Sequence, residues 1–371
     1  MNKYGWICGV LALVIFSACT PVPSHPSSSD GLNTPDSQAD SFSTPRITQN
    51  PISGTQKTET LFPITEAPPI LATSTPGAMQ LFFPTVIAVE GAEYRPPLYP
   101  VPWALSPNDH FYFASPIAAN YPGEPIWDYR YGGNFFGPDV YHTGIDLPAP
   151  RGTDVLAAGP GTIVWAGLGL FSGSSYNYND PYGKAVAIRH DFGFQNQSLF
   201  TIYAHMDEID VVLGQWLNTG DEIGKVGSTG NTTGPHLHFE VRLGANDFYQ
   251  TRNPELWLVP PLGYGVLAGR VMNTFGQLMN LQKITITNVE NEDKYQAFTY
   301  GPLLVNSDAY YNENVVMGDL PAGVYELSIP YYYATLTTEI QILPGQVSYF
   351  SFQGFIGYDS TLPIEVDKGN P

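Results

Sequence analysis

Between Val155 and Val241 short apolar runs alternate with glycine-bearing turns: DVLAAG, GTIVWAG, KAVAIRH, SLFTIYAH and HLHFEV. Each run has the length of a strand and is rich in β-branched residues. No stretch keeps a 3.6-residue period long enough for an amphipathic helix of more than about ten residues. The pattern predicts an all-β domain of two packed sheets joined by Gly-rich hairpins. After TRNPELWLVPP the composition shifts, and from about Gly263 a second β pattern begins: GVLAGRVMN, KITITNV, KYQAFTYG, GVYELSIPYYYATLTTEIQIL and VSYFSFQGF. Regular strand spacing over about 100 residues predicts a small β-sandwich.

The first 93 residues follow neither pattern. One lysine, Lys3, precedes an apolar run from about Gly5 to Ala18, too short to span a bilayer comfortably and the right size for an export-signal core. The run closes with Phe16-Ser17-Ala18-Cys19, which resembles the bacterial lipoprotein processing site, where the cysteine becomes the lipid-bearing first residue. The expectation is a signal over 1–19 and an exported protein anchored to the membrane by lipid, facing the cell wall or periplasm. From Thr20 stretches such as SHPSSSDGLNTPDSQADSFSTP bury too little apolar surface to offset chain entropy, so 20–93 reads as a disordered Ser/Thr/Pro tether. The globular part then divides into 94–258 and 259–371.

Composition narrows the chemistry. The 371 residues carry a formal charge of -19, so a polyanion such as nucleic acid is repelled overall. Charged residues make up 13%, while Gly (37), Pro (34), Tyr (24) and Phe (20) are abundant, in keeping with turn-rich β structure. The two cysteines are Cys8 and Cys19, and Cys8 would leave with the signal. Disulfides are therefore excluded, and a metal must be held by histidine and carboxylate.

The seven histidines stand at 25, 110, 142, 190, 205, 236 and 238. In TGPHLHFEV, His236 and His238 are two apart and project from the same face of a strand. In YHTGIDLPAP, an extended segment would set His142 and Asp146 on one face as well. Asp is a hard oxygen ligand and imidazole a borderline nitrogen ligand, a pair that suits Zn²⁺. With one histidine of HLH this makes three protein ligands and leaves a fourth position for water, the pattern of a catalytic rather than a structural site.

HTGIDLPAPRGTDVLAAGPGTIVWAG, IYAHM and VLGQWLNTGDEIGKVGSTGNTTGPHLHFEVR closely resemble the lysostaphin/LytM-like zinc endopeptidases, over roughly residues 125 to 245. The resemblance implies a compact β fold with a groove over an antiparallel sheet. It also implies hydrolysis of peptide bonds in peptidoglycan stem peptides or cross-bridges. By position His142, Asp146 and His238 match that family's zinc ligands, and His205 and His236 its two unligated catalytic histidines. Zn²⁺ lowers the pKa of bound water to about 7, and a neutral imidazole can then take its proton or orient it. No His-Glu-x-x-His occurs, so a glutamate base of that type is missing; His205 is read as the base and His236 as its partner. Two other readings are a non-catalytic regulator of another wall hydrolase, as in relatives that have lost ligands, and a secreted zinc peptidase acting on proteins. The presence of all five residues weighs against the regulator.

The remaining features read more plainly. His190 is a hydrogen-bonded structural histidine, and GSTGNTTGP is a turn lining the groove. Tyr203 either bounds the site or packs in the core. Glu240 is surface or structural rather than a support for His238. LFSGSSYNYND is longer than the family's common loop here, and residues 170 to 180 are expected to wall the groove. Asn134 lies where some relatives place an inhibitory segment. In the second β region, LAGRVMNTFGQLMNLQKITI and DLPAGVYELSI resemble carboxypeptidase-regulatory or prealbumin-like sandwich modules.

Overall fold

In the computed structural model, which describes residues 97–117, 129–133, 142–302 and 305–363, the glycine-punctuated runs join in a nine-stranded antiparallel sheet. Cys19, the tether and Asn134 lie outside the described residues. The strands are β1 (Ile145–Pro148), β2 (Asp154–Leu156), β3 (Gly161–Gly167), β4 (Lys184–Phe194), β5 (Gln197–Ile209), β6 (Trp216–Leu217), β7 (Glu222–Val226), β8 (His236–Leu243) and β9 (Thr251–Arg252). Their main order is β1-β8-β5-β4-β3-β6, with β7 paired to β2 and β5, and β9 to β8. Helical structure among the described residues is limited to short 3-10 turns such as Pro254–Leu256.

The two packed sheets expected from the pattern are here one hydrogen-bonded network. The reason is the length of β5: Leu199–Ala204 pair with β8, and from Met206 to Ile209 the strand pairs with β7 instead, with a bulge between Met206 and Glu208. A bulge adds a residue and bends the strand, so one strand serves both layers.

Alternation along β8 sorts its side chains. Leu237, Phe239, Val241 and Leu243 enter the main apolar core with Ile145, Val186, Ile188 and Tyr203. His236, His238, Glu240 and Arg242 take the other face, yet are buried as well. Each fully buried large apolar side chain stabilises the fold by about 1.5–3 kcal/mol, so the core face can carry a polar opposite face that costs stability. The core face is covered by residues 97–117, where Phe111 and Phe113 are fully buried and Phe113 N–H donates to the Trp257 carbonyl at 3.0 Å.

The second β region forms two four-stranded sheets. One holds β10 (Tyr264–Met272), β13 (Val315–Pro321), β16 (Val347–Gln353) and β17 (Tyr358–Asp359); the other holds β11 (Lys283–Asn288), β12 (Lys294–Phe298), β14 (Gly323–Tyr331) and β15 (Ala334–Ile342). Leu267, Val271, Phe350 and Phe352 of the first share a core with Ile286, Leu327, Ile329 and Ile342 of the second, which makes a sandwich. The long run GVYELSIPYYYATLTTEIQIL is a hairpin turning at Tyr332, whose φ is +54°. Strand β13 escapes a pattern reading because Gly318 and Pro321 interrupt its apolar residues. The main core extends into this region through Val266, Ala268, Tyr311, Val316 and Tyr349.

Candidate metal centre

Register brings the first two site residues together. β1 pairs with β8 so that Asp146 lies opposite His238, and Pro148 opposite His236. His142 reaches them differently from the extended segment expected. Four extended residues would span about 13 Å, yet His142 Nε2 lies 2.9 Å from Asp146 Oδ1. The chain bends at Gly144, and β1 starts only at Ile145. A Cβ at Gly144 would meet the Phe239 carbonyl oxygen at 2.3 Å, so only glycine can pass this close to β8.

Hydrogen-bond partners assign the protons of this cluster. His142 Nδ1–H donates to the Arg130 carbonyl at 3.1 Å, which leaves a lone pair on Nε2. His238 Nε2–H donates to Glu240 Oε1 at 3.1 Å, which leaves a lone pair on Nδ1. Glu240 is a true carboxylate: burial opposes its charge, but Arg242, His238 and Thr143 outweigh that and hold it down to about 2. Asp146 is likewise held well below the usual carboxylate range by His142 and His238, against the cost of burial.

Three lone pairs therefore face one another. His142 Nε2, Asp146 Oδ1 and His238 Nδ1 are separated by 2.9, 3.0 and 2.9 Å. A proton on His238 would satisfy part of the cluster, and despite its burial the Asp146 and Glu240 carboxylates push that ring up to about 9. One proton can bridge only one of the three pairs at a time. A divalent cation about 2.0–2.2 Å from each donor satisfies all three, the distances Zn²⁺ takes to histidine and carboxylate. His142, Asp146 and His238 thus have the donors, tautomers and spacing of a three-ligand metal site.

His205 and His236 stand beside this cluster. Their rings are 4.8 Å apart, and His205 is 5.6 Å from His238. His205 Nδ1–H donates to the Thr229 carbonyl and His236 Nδ1–H to that of Gly234, both at 2.8 Å, so Nε2 is the basic nitrogen of each. His236 Nε2 lies 3.3 Å from Asp146 Oδ2 and has no hydrogen-bond partner. Burial, then the neighbouring His238 and His236 rings, push His205 down to about 3. Burial also lowers His236. Both are neutral at neutral pH.

Strict alternation on β5 would have put His205 on the face of Tyr203, which is the core face. Tyr203 is indeed fully buried in the core, where its hydroxyl accepts from Ala158 N–H at 2.8 Å. His205 escapes because its backbone is left-handed, with φ +61°. That conformation is uncommon and strained for a non-glycine residue, and it returns the imidazole to the metal side.

A cavity of about 300 Å³ opens over the cluster, walled by Tyr182, Phe171, Phe248 and Asn231. Phe171 and Phe248 meet edge to face at 5.1 Å. Beyond Asp146 and His236 lies a second, smaller cavity of about 130 Å³, bordered by Tyr129, Pro148 and Thr233. The long loop forms one wall through Phe171, and Asp180 ties it down by accepting from the Ser172 N–H and hydroxyl at 3.0 and 2.9 Å. His190 bridges the Pro160 carbonyl and the Thr201 hydroxyl and takes no part in the cavity.

Glu240 differs from the surface or structural reading: it is fully buried and fixes the tautomer of His238. Tyr182, Thr143 and Arg242, not singled out in the sequence, complete its environment. Tyr182 OH donates to Glu240 at 2.6 Å and accepts from Arg242 at 2.8 Å, and Thr143 bonds the same carboxylate. A signal was present in the run HLHFEVR, where Glu240 and Arg242 continue the face of His236 and His238.

All five residues of the site lie within the part of the chain that resembles known proteins. Residues 140–250 match the model of Peptidase family M23. The chain is 42% identical over 102 residues to the DD-carboxypeptidase/endopeptidase Mpg of Neisseria meningitidis serogroup B, covering 28% of this chain and 20% of that protein. It is 40% identical over 116 residues to the peptidoglycan DD-endopeptidase ShyC of Vibrio cholerae, covering 30% and 25%. To the outer membrane antigenic lipoprotein B of Haemophilus influenzae it is 36% identical over 132 residues, covering 34% and 28%. The chain thus spans less than a third of the length of each of these relatives.

Proposed function

Since residues 140–250 belong to peptidase family M23, we propose that this protein is a zinc-dependent endopeptidase cutting peptide bonds in peptidoglycan stem peptides or cross-bridges. The observation that carries the reading is the convergence of His142 Nε2, Asp146 Oδ1 and His238 Nδ1 within 3.0 Å of one another, donors that one divalent cation would engage together. When bound there, Zn²⁺ would supply Lewis acidity toward water and the scissile carbonyl.

The rest of the chemistry falls to the chain. His205 Nε2 accepts the proton of the attacking water, its ring held by the Thr229 carbonyl. Once protonated, a ring in this position becomes a donor to the developing oxyanion. His236 Nε2 faces the same space and orients the nucleophile. Glu240 keeps His238 in the ligating tautomer. Asp146 and His236 line both cavities, so an extended peptide passing over them would reach into each.

The proposal extends to the whole chain. Residues 1–19 are a lipoprotein signal, 20–93 a tether from lipidated Cys19, 94–258 the peptidase domain and 259–371 the sandwich. This carries the enzyme to the cell envelope, in keeping with the lipoprotein name of the Haemophilus influenzae relative. Purified protein incubated with cross-linked peptidoglycan is expected to release muropeptides, and a chelator should stop the release. Zinc-loaded but inert protein would favour the regulator, and cleavage of proteins alone the secreted peptidase.

The aromatic wall bears on substrate choice. Phe171→Ala is expected to change the ratio of kcat/KM between oligoglycine and stem-peptide substrates by about tenfold, on the scale of one apolar contact, with zinc content unchanged. Loss of zinc in this variant would show that the loop supports the metal cluster instead.

A further inference from the structure

The segment upstream of His142 holds it by three hydrogen bonds. Gly132 N–H donates to the His142 carbonyl and His142 N–H to the Gly133 carbonyl, both at 2.8 Å, while the ring bonds the Arg130 carbonyl at 3.1 Å. What holds the segment itself comes largely from the sandwich. Gly301 N–H donates to the Gly132 carbonyl at 2.8 Å. The ring of Tyr300 packs on Gly132 so closely that a Cβ there would lie 2.6 Å from it. Tyr131 OH, nearly fully buried, donates to the Thr251 carbonyl at 3.1 Å and accepts from Asn306 N–H at 3.0 Å. The Arg130 guanidinium pairs with buried Glu255, whose Oε1 also accepts from Gly318 N–H at 2.8 Å on β13.

We propose that the sandwich is a working part of the metal centre: through Tyr300, Gly301 and Gly318 it fixes residues 130–133, and these set where His142 Nε2 stands. Arg130 and Glu255 are then positioning residues, acting on the metal through His142. This rests on the metal reading above. The route is physical and short. A ligand ring can swing about its side-chain bonds unless its second nitrogen is anchored, and that anchor, the Arg130 carbonyl, is only as fixed as the backbone carrying it. In this chain the backbone is fixed from residues some 170 positions downstream, as the Gly132–Gly301 bond shows. The apolar core shared between the main sheet and the sandwich keeps the two sides of the clasp in register.

The test uses the full chain with Zn²⁺ as the probe and a chromophoric chelator as competitor. Glu255→Gln removes the charge that holds Arg130, and Gly132→Ala puts a methyl against Tyr300 at a backbone φ of +76°. Each is expected to raise the zinc Kd about tenfold, the lower end of what losing a ligand's support costs. Leu327→Ala, in the sandwich core and absent from the clasp, should lower Tm while the zinc Kd stays within about twofold. The visible spectrum of the Co²⁺-loaded chain should shift in Glu255→Gln and not in Leu327→Ala. Parental zinc affinity in folded Glu255→Gln overturns the inference, as does an equal loss in Leu327→Ala. If Gly132→Ala does not fold, Glu255→Gln decides alone. A parent chain that takes up no zinc overturns the metal reading itself, an outcome distinct from a parent that binds zinc no better than its variants.

Discussion

Asp146→Asn is expected to leave the purified chain without zinc and to lower peptidoglycan hydrolysis by at least about a thousandfold. The substitution keeps the shape of the side chain and removes its charge. Two neutral imidazoles would then face the dication with no anionic donor, and an amide N–H can point into the place the metal needs. His142 Nε2 and Asp146 Oδ1 are 2.9 Å apart, so little room exists for the site to rearrange around the loss. Metal analysis after gel filtration gives a direct reading. Thermal denaturation gives a second: at a zinc concentration of 100 Kd the parent gains about 2.7 kcal/mol, which at about 2–4 °C per kcal/mol for a unit of this size raises Tm by about 5–11 °C. The variant should gain nothing. Stoichiometric zinc in Asp146→Asn at parental affinity would mean that these three residues do not form the centre.

His205→Ala should separate chemistry from metal binding. The expected result is a fall in kcat of about 10²–10⁴, that is about 2.7–5.5 kcal/mol of transition-state stabilisation, with zinc content and zinc Kd unchanged. His205 touches the metal cluster only through ring proximity to His236 and His238, and its own anchor is the Thr229 carbonyl. Alanine inherits the left-handed backbone at this position, so the variant relieves no strain and a stability change should come from the small cavity left and the lost bond to the Thr229 carbonyl. A kcat near that of the parent would move the base role to His236, and lost zinc would make His205 part of the metal's support. Measuring zinc, Tm and kcat on one preparation distinguishes these outcomes.

The amino-acid order alone settled a good deal of this. Period-2 alternation in HLHFEVR puts His236, His238, Glu240 and Arg242 on one face, because successive side chains of a strand point to opposite sides. The lack of cysteine after Cys19 restricts any metal to histidine and carboxylate. The strand runs and the shift after residue 261 mark where the main sheet gives way to the sandwich.

What the order of residues could not decide was how those faces meet. That Asp146 stands opposite His238 depends on the pairing register of β1 with β8, whose partners lie 92 residues apart. The bend at Gly144 that folds His142 back onto Asp146 exists because β8 presses on the chain there. The left-handed backbone that turns His205 out of the core is a local exception to alternation, held by the contacts around it. The clasp of residues 130–133 by Tyr300, Gly301 and Gly318 has no local signature at all. Side-chain direction follows from neighbouring dihedrals and can be read residue by residue. Proximity between distant strands follows from packing of the whole core, and only the folded chain determines it.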